Sequence, residues 1–292
     1  MNDQIREFSI AQRGDEPETT LRVRVLTKDD SNNTERPFVF ILPGGPGANH
    51  SFYQAYDCLI EVANVAYYDP RGCGLSDTGP QSSYSMDNYI DDLAHIIQHM
   101  DCKETIVLGK SYGAICSLGL ALRYPALVDK LIVVAGAPSY HFLETAKKNL
   151  SLRGTEDQKR VCEALWNGSV KSDDEADAFF EITASLYSWK VRNSVECPAG
   201  KKIKHRFSCE SLNEGFSKKF NHFDYRPQLH KIQCPTLVAV GAEDWITDPI
   251  HSEEIASGIP DSVYLKFENS DHSVEKDAPE IFFPAIKDFI KG

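Results

Sequence analysis

Long apolar segments are missing from this sequence. No run approaches the roughly 18 consecutive apolar residues that a membrane-spanning helix requires. The N-terminal stretch MNDQIRE also lacks the apolar core of a secretory signal. From these two absences we expect a cytoplasmic protein that neither crosses a membrane nor binds one.

Closely spaced cysteine pairs are missing as well. The chain has eight cysteines, but no two of them form a Cys-x-x-Cys pair. Such scattered cysteines are typical of reduced thiols in the cytosol and do not suggest a zinc site or a disulfide framework. We therefore expect neither disulfides nor a bound metal.

An excess of positive charge is the third absence. The chain has 31 Lys and Arg against 43 Asp and Glu, which gives a net charge of −12 at pH 7. Nucleic acids and anionic lipid surfaces are bound by clustered Lys and Arg side chains. The charge balance therefore argues against either of them as a partner.

Short apolar runs alternate with segments of helical pattern through most of the chain. A strand buried on both faces has a short, continuous apolar run. The predicted buried strands are residues 38–42, 63–68, 105–108, 131–134, 236–240 and 263–267. Helical segments lie near residues 52–62, 84–100, 112–124, 250–257 and 278–291. Residues 6–12 and 20–26 alternate well enough to be antiparallel strands. The pattern predicts an α/β fold with a mostly parallel, doubly wound sheet.

One long segment interrupts this alternation. Residues 139–223, called the insertion below, have no buried-strand pattern and are too long for a simple loop. Within the insertion, residues 156–166 and 173–189 have apolar positions near helical spacing. We predict a helical cap, inserted into one core domain made of residues 1–138 and 224–292. The cap is expected to cover the carboxyl ends of the strands, where open α/β sheets bind ligands.

A serine flanked by glycines follows the third of the predicted buried strands. The sequence GKSYG at residues 109–113 has the G-x-S-x-G pattern and stands between a strand and a helix. In that context the pattern predicts a nucleophile elbow, a sharp turn that lifts the serine oxygen clear of the sheet. We predict Ser111 as the nucleophile of an α/β-hydrolase. The alternative is a serine that only caps the helix.

A glycine-rich loop, PGGPG at residues 43–47, follows the first buried strand. A serine acyl-transfer enzyme must stabilise an oxyanion, and backbone N–H groups fixed in advance do this well. Glycines let such a loop adopt positive φ and approach a substrate closely. We predict that the N–H groups of Gly45 and Tyr112 form the oxyanion hole and that Gly44 contacts the substrate. The alternative is a tight turn without a ligand.

The acid and the general base should follow the nucleophile in that order. His272 follows the last predicted strand and precedes the final helix, so we predict it as the general base. The acid is expected just past residues 236–240, where the chain offers Glu243, Asp244 and Asp248. Asp244 has the best position, whereas Asp248 is expected to cap the next helix.

The segment YDPRGCGLSD, residues 68–77, follows the second buried strand. It does not have the pattern of a phosphate-binding loop. We expect a tight, buried turn beneath the site, in which Asp69 and Arg71 pair with each other or hold loop backbone.

These motifs together resemble the proline iminopeptidases, or prolyl aminopeptidases. The resemblance rests on GGPG at 44–47, DPRGCGLS at 69–76, G-x-S-Y-G at 109–113, G-x-x-D at 241–244 and the late His272. It implies an α/β-hydrolase fold with a helical cap, no cofactor, and removal of an N-terminal residue, often proline, from short peptides. It assigns Ser111, Asp244 and His272 as the catalytic triad, with Gly45 and Tyr112 as oxyanion donors.

The resemblance also implies that an acidic residue of the cap binds the α-amino group of the substrate. Glu214, in NEGF at residues 213–216, matches the segment that supplies it. Pro43 stands where the family usually has His, and Trp245 stands where some relatives have a second amine-binding Glu. Trp245 is therefore expected to contact an apolar or aromatic part of the substrate.

Two other functions fit the same residues. An esterase, a lactonase or a carbon–carbon hydrolase could use the same triad, because the fold alone does not separate these reactions. A ligand-binding protein without catalysis is an alternative of another class. The complete set of predicted catalytic residues favours a hydrolase that acts on a short peptide or another small molecule.

Overall fold

The computed structural model describes residues 1–12, 17–28, 35–195, 206–216 and 222–292. Within these ranges the strands are β1 Asn2–Ile10, β2 Thr19–Thr27, β3 Phe38–Leu42, β4 Asn64–Asp69, β5 Thr105–Lys110, β6 Lys130–Val134, β7 Thr236–Gly241 and β8 Ser262–Phe267. The described strands form one sheet in the order β1-β2-β4-β3-β5-β6-β7-β8. β2 is antiparallel to both of its neighbours, and all pairs from β4 to β8 are parallel.

The burial of the strands follows from their sequences. Every residue of β3, β4, β5 and β7 is buried, because helices cover both faces of a parallel sheet. β1 lies at an edge, and its side chains alternate between more and less exposed positions. The predicted α/β fold with a mostly parallel sheet is confirmed.

The described helices connect the parallel strands and fill the insertion. They are α1 Met86–His99, α2 Tyr112–Arg123, α3 Phe142–Arg153, α4 Glu156–Trp166, α5 Asp173–Tyr187, α6 Trp189–Arg192, α7 Cys209–Gly215, α8 Pro249–Gly258, α9 Val274–Asp277 and α10 Pro279–Lys291. The segment predicted as a helix near residues 52–62 is a 3₁₀ helix, Gln54–Glu61. Across the described ranges, no helix combines the length and the apolar character that a membrane span needs.

The strand order creates a crevice at the carboxyl ends of β3 and β5. β3 lies between β4 and β5, so the chain continues first to one side of β3 and then to the other. Open α/β sheets bind ligands at such a point. The loop that contains Gly45 follows β3, and Ser111 follows β5. The topology therefore brings the predicted oxyanion loop next to the predicted nucleophile.

The insertion leaves the sheet and returns to it at one place. The backbone N–H of Tyr140 donates to the carbonyl of Phe223 at 3.0 Å, and that of Tyr225 donates to Pro138 at 2.8 Å. Between these contacts lie α3 to α7. The two ends of the insertion are thus adjacent, as expected of a segment inserted into a continuous core. The exact domain boundaries, 139 and 223, stay a prediction.

The helix predicted over residues 173–189 divides in the structure. α5 ends at Tyr187, and the Ser188 hydroxyl accepts the backbone N–H of Val191 at 3.3 Å to begin α6. A serine at an N-cap starts a new helix in this way, because its side chain replaces a backbone acceptor.

The first prediction concerns the packing of α2 on β3. A Cβ at Gly113 would overlap the carbonyl oxygen of Leu42 and lie 2.7 Å from that of Pro43. Backbone atoms cannot give way as a flexible side chain can, so Gly113→Ala should lower the free energy of unfolding by about 1–3 kcal/mol. Urea denaturation measures this change.

Gly79→Ala is the matched control for this substitution. The nearest atom to a Cβ at Gly79 is the Ser83 hydroxyl oxygen, at 3.4 Å, which is ordinary contact. The control should keep the unfolding midpoint of the unaltered protein. Equal midpoints for the two variants would contradict the proposed close contact of α2 with β3.

Candidate active site

Ser111 occupies the turn between β5 and α2 in a left-handed backbone conformation, with φ 56° and ψ −121°. A residue with a side chain is strained there by about 1–3 kcal/mol, and such strain is concentrated at functional sites. The Ser111 N–H donates to the carbonyl of Val134 at 2.9 Å and fixes the turn. Within the described residues the Ser111 side chain makes no capping hydrogen bond to α2. A serine that only caps the helix is therefore not supported.

Asp244 and His272 meet from the loops that follow β7 and β8. Asp244 Oδ2 lies 2.8 Å from His272 Nδ1, and both side chains are buried. Asp244 Oδ1 accepts the backbone N–H groups of Ile246 and Thr247, each at 3.0 Å. These two bonds fix the carboxylate. The Asp244 carboxylate is bonded to Nδ1 of His272. The other ring nitrogen, Nε2, is the one that could exchange a proton with a nucleophile.

The other acidic candidates have different partners. Glu243 has a side chain that is 43% exposed and forms an ion pair with Arg192. Asp248 accepts the backbone N–H of Ile250 at 3.2 Å and caps α8, as predicted. Of the three candidates on this loop, Asp244 is the one hydrogen-bonded to the imidazole of His272.

The loop after β3 packs directly against the elbow. A Cβ at Gly44 would lie 2.9 Å from the Ser111 Cβ, so only glycine allows this approach. The Gly44 N–H donates to Tyr53 Oη at 2.6 Å, which leaves it unavailable to a substrate. Gly45 has φ 105° and lines a small cavity together with Ser111 and Tyr112. The structure thus brings both predicted oxyanion donors beside the predicted nucleophile.

A larger cavity of about 270 Å³ opens at the same place and is lined by both Ser111 and His272. Most of its wall is apolar and aromatic. The apolar lining residues are Ala48, Phe52, Leu165, Phe179, Phe180, Ala184, Val191, Phe207, Leu212, Phe216 and Ile246. Phe52 of the core and Phe180 of α5 both pack on Phe207, with ring centroids 4.3 and 4.0 Å apart. The insertion therefore supplies much of the wall of the cavity.

Three residues predicted to bind substrate lie outside the lining of this cavity. Trp245 is fully buried and packs on Trp166 and Tyr187, and its backbone N–H donates to Asp271 Oδ1 at 3.3 Å. Gly44 packs against the elbow, and its N–H donates to Tyr53 Oη. Glu214 is half-buried on α7. Leu212 of the same helix and Phe216, which follows it, line the cavity.

A buried ion pair in the cavity wall was not predicted from the sequence. Lys110 Nζ bonds to Glu275 Oε2, and both side chains are almost completely buried. Burial lowers the pKa of Lys110, and the charge of Glu275 opposes this. Burial acts to raise the pKa of Glu275, but the charges of Lys110 and Lys276 outweigh it, and the pKa lies below its ordinary value. A lysine at the end of a fully buried strand signals the need for such a partner.

Asp69, at the end of β4, and Arg71, just after it, hold neighbouring segments of the chain. Asp69 Oδ1 accepts the backbone N–H of His50 at 2.7 Å, and its Oδ2 accepts that of Leu75 at 3.0 Å. Arg71 forms a two-bond ion pair with Asp92, at 2.6 and 2.9 Å. Asp69 therefore holds loop backbone, as expected, and Arg71 holds Asp92 of α1. Across the described ranges, no three His, Cys, Asp or Glu side chains are grouped as metal ligands.

The sheet order, the strained serine after β5 and the Asp–His pair after β7 and β8 define an α/β-hydrolase. Residues 37–160 match the family model described as the alpha/beta hydrolase fold. Over 265 residues the chain is 31% identical to the proline iminopeptidase PfmaB of Pestalotiopsis fici. This match covers 88% of this chain and 92% of PfmaB. It is 28% identical to the proline iminopeptidase of Heyndrickxia coagulans, with coverages of 91% and 94%. The chain belongs to the proline iminopeptidase family of α/β-hydrolases.

Solved structures share the fold. The proline iminopeptidase of Mycobacterium smegmatis has a TM-score of 0.69 at 18% identity, covering 98% of both chains. An esterase from Exiguobacterium antarcticum has a TM-score of 0.70 at 21% identity, covering 94% of this chain and 96% of that one. Different reactions are thus named for neighbours of similar fold, so the substrate must be argued from the site.

The second prediction tests the buried ion pair. Lys110→Met leaves the Glu275 carboxylate buried without its partner, which typically costs about 3–5 kcal/mol. The double variant Lys110→Met/Glu275→Leu removes both charges and should recover much of this loss. The free energy of unfolding in urea measures both changes.

Lys159→Met is the matched control, because Lys159 pairs with Glu156 on the surface of α4. Exposed pairs of this kind contribute at most about 1 kcal/mol. A Lys110→Met variant as stable as Lys159→Met would show that the buried pair does not have the proposed role.

Proposed function

We propose that this protein is a serine hydrolase that releases an N-terminal residue, proline or a similar apolar residue, from short peptides through an acyl-enzyme. The observation that carries the proposal is the 2.8 Å hydrogen bond between Asp244 and His272, since His272 lines the same cavity as Ser111. Membership of the proline iminopeptidase family supports the choice of substrate.

The proposed reaction has two stages. Ser111 Oγ attacks the carbonyl carbon of the scissile bond while His272 Nε2 takes its proton, and Asp244 stabilises the imidazolium. The N–H groups of Gly45 and Tyr112 hold the oxyanion of the tetrahedral intermediate. His272 then returns the proton to the departing amine, which leaves the acyl group on Ser111. Water, activated by His272, attacks this ester and restores the serine.

The cavity suits a small, apolar acyl group. Its volume of about 270 Å³ lies just below the range of small-molecule sites, roughly 300–1,000 Å³. Phenyl rings such as those of Phe52, Phe180 and Phe207 can pack against a pyrrolidine ring or another apolar side chain. We propose that this volume limits the enzyme to one residue ahead of the scissile bond, which would make it an exopeptidase.

Recognition of the α-amino group is assigned to Glu214. It lies on α7, and two residues of the same region, Leu212 and Phe216, line the cavity. A carboxylate on the same helix as Leu212 would favour a substrate with a free ammonium group. This assignment stays a proposal, and the Glu214→Ala variant tests it.

One observation favours a second function, hydrolysis of esters or amides without a free amino group. Glu275 is the carboxylate among the described lining residues, and it is already paired with Lys110. An ammonium group would have to compete with the lysine for it. An apolar acyl group without an amine meets no such competition in the largely apolar wall.

The third prediction separates the two functions with a panel of substrates. Proline and other aminoacyl p-nitroanilides should be cleaved, and N-blocked versions at least about tenfold less efficiently, equal to ~1.4 kcal/mol. Glu214→Ala should raise the KM of the free-amine substrates and leave that of the N-blocked ones unchanged. Equal cleavage of both kinds, or cleavage of p-nitrophenyl esters alone, would favour the second function.

Two serine variants show whether any activity belongs to the proposed site. Ser111→Ala should lower kcat by about 10⁴-fold or more on every substrate that is cleaved. Ser151→Ala, a serine on the surface of α3, is the control and should leave kcat unchanged.

A further inference from the structure

Arg192 joins the insertion to the two loops that carry Asp244 and His272. It is the last residue of α6, and its Nη2 lies 2.6 Å from Glu243 Oε2. Its Nη1 is bonded to Asp271 Oδ2. Glu243 directly precedes Asp244, and Asp271 directly precedes His272. One guanidinium thus holds both neighbours of the Asp–His pair.

Asp271 also binds backbone N–H groups of both loops. Its Oδ1 accepts the N–H of Trp245, at 3.3 Å, and that of His272, at 3.1 Å. One carboxylate therefore bridges the two loops and binds the guanidinium from the insertion. The side chain is fully buried, and burial raises its pKa to about 6, although Arg192 acts to lower it. A buried carboxylate of this kind needs its cationic partner.

The start of α6, the helix that ends at Arg192, is anchored to the core. Asp277 of α9 accepts the hydroxyl of Ser188 at 2.5 Å and the N–H of Trp189 at 2.8 Å. The same carboxylate accepts the N–H of Asp271 at 2.9 Å. The start of α6 and the His272 loop therefore share one anchor. The insertion is docked on the core at the point where His272 must be held.

We propose that Arg192 is a positioning residue, which keeps the loops of Asp244 and His272 at the separation that their hydrogen bond requires and makes that separation depend on docking of the insertion. This inference rests on the proposed triad. A guanidinium has donors in a rigid planar fork and can hold two carboxylates in one geometry, which a lysine ammonium cannot reproduce. Displacements of about 1 Å in such an arrangement can cost about 100-fold in rate.

The fourth prediction compares Arg192→Met with Arg206→Met. Arg206 is a matched control, since it also binds two carboxylates, those of Asp174 and Asp177, but both of these partners belong to α5 and not to the loops of Asp244 and His272. Arg192→Met should lower kcat by about 10- to 100-fold with KM within about threefold. Arg192→Lys should recover little of the loss, and Arg206→Met should match the unaltered enzyme.

The rate of reaction with a fluorophosphonate probe makes the test independent of the substrate. If the unaltered protein reacts and Arg192→Met reacts equally fast, the role of Arg192 is wrong while the triad stands. If the unaltered protein does not react, the triad itself is wrong, and the inference that rests on it is overturned with it. A rate reduced by about tenfold or more in Arg192→Met supports the inference.

Glu243→Gln tests the same point if Arg192→Met does not fold. It removes the charge of the more exposed partner and keeps the Arg192–Asp271 bond, so the fold should persist. We expect a smaller fall in kcat, of about three- to tenfold, with KM unchanged. An unchanged kcat in folded Glu243→Gln would overturn the inference.

Discussion

The hydrogen bond between Asp244 and His272 joins two loops that are 28 positions apart in the sequence and adjacent at the edge of the sheet. β7 and β8 are parallel neighbours, so the loops at their carboxyl ends start side by side. The backbone N–H groups of Ile246 and Thr247 orient the carboxylate, and it orients the imidazole. Without this chain of contacts, neither the Asp244 carboxylate nor the His272 imidazole would have a fixed orientation in the structure.

The insertion has two roles in this arrangement. It forms the aromatic wall, where Phe180 and Phe207 stack at 4.0 Å, and so sets the size and polarity of the cavity. It also reaches the core through α6, where Arg192 and the start of the helix are bound next to His272. A change in how the insertion docks would therefore alter the cavity volume and the position of His272 together.

Much of the fold and the centre of the site could be predicted because they leave local patterns. β3 is an uninterrupted apolar run, and Ser111 lies in a short motif between a strand and a helix. Asp244 and His272 could be selected because each lies a few residues after the end of a predicted strand. The ion pair of Lys110 with Glu275 spans 165 positions in the chain, and no periodicity marks such a contact. The contacts of Arg192 are equally invisible, because they depend on how the insertion folds back on the core.

The central claim is that Ser111 is the nucleophile activated by His272. It is tested most directly by peptide mapping with mass spectrometry after exposure to a fluorophosphonate. We predict a single phosphonyl adduct on the peptide that contains Ser111, and its formation should be lost when His272 is replaced by alanine. An adduct on another residue, or adduct formation that does not require His272, would contradict the account.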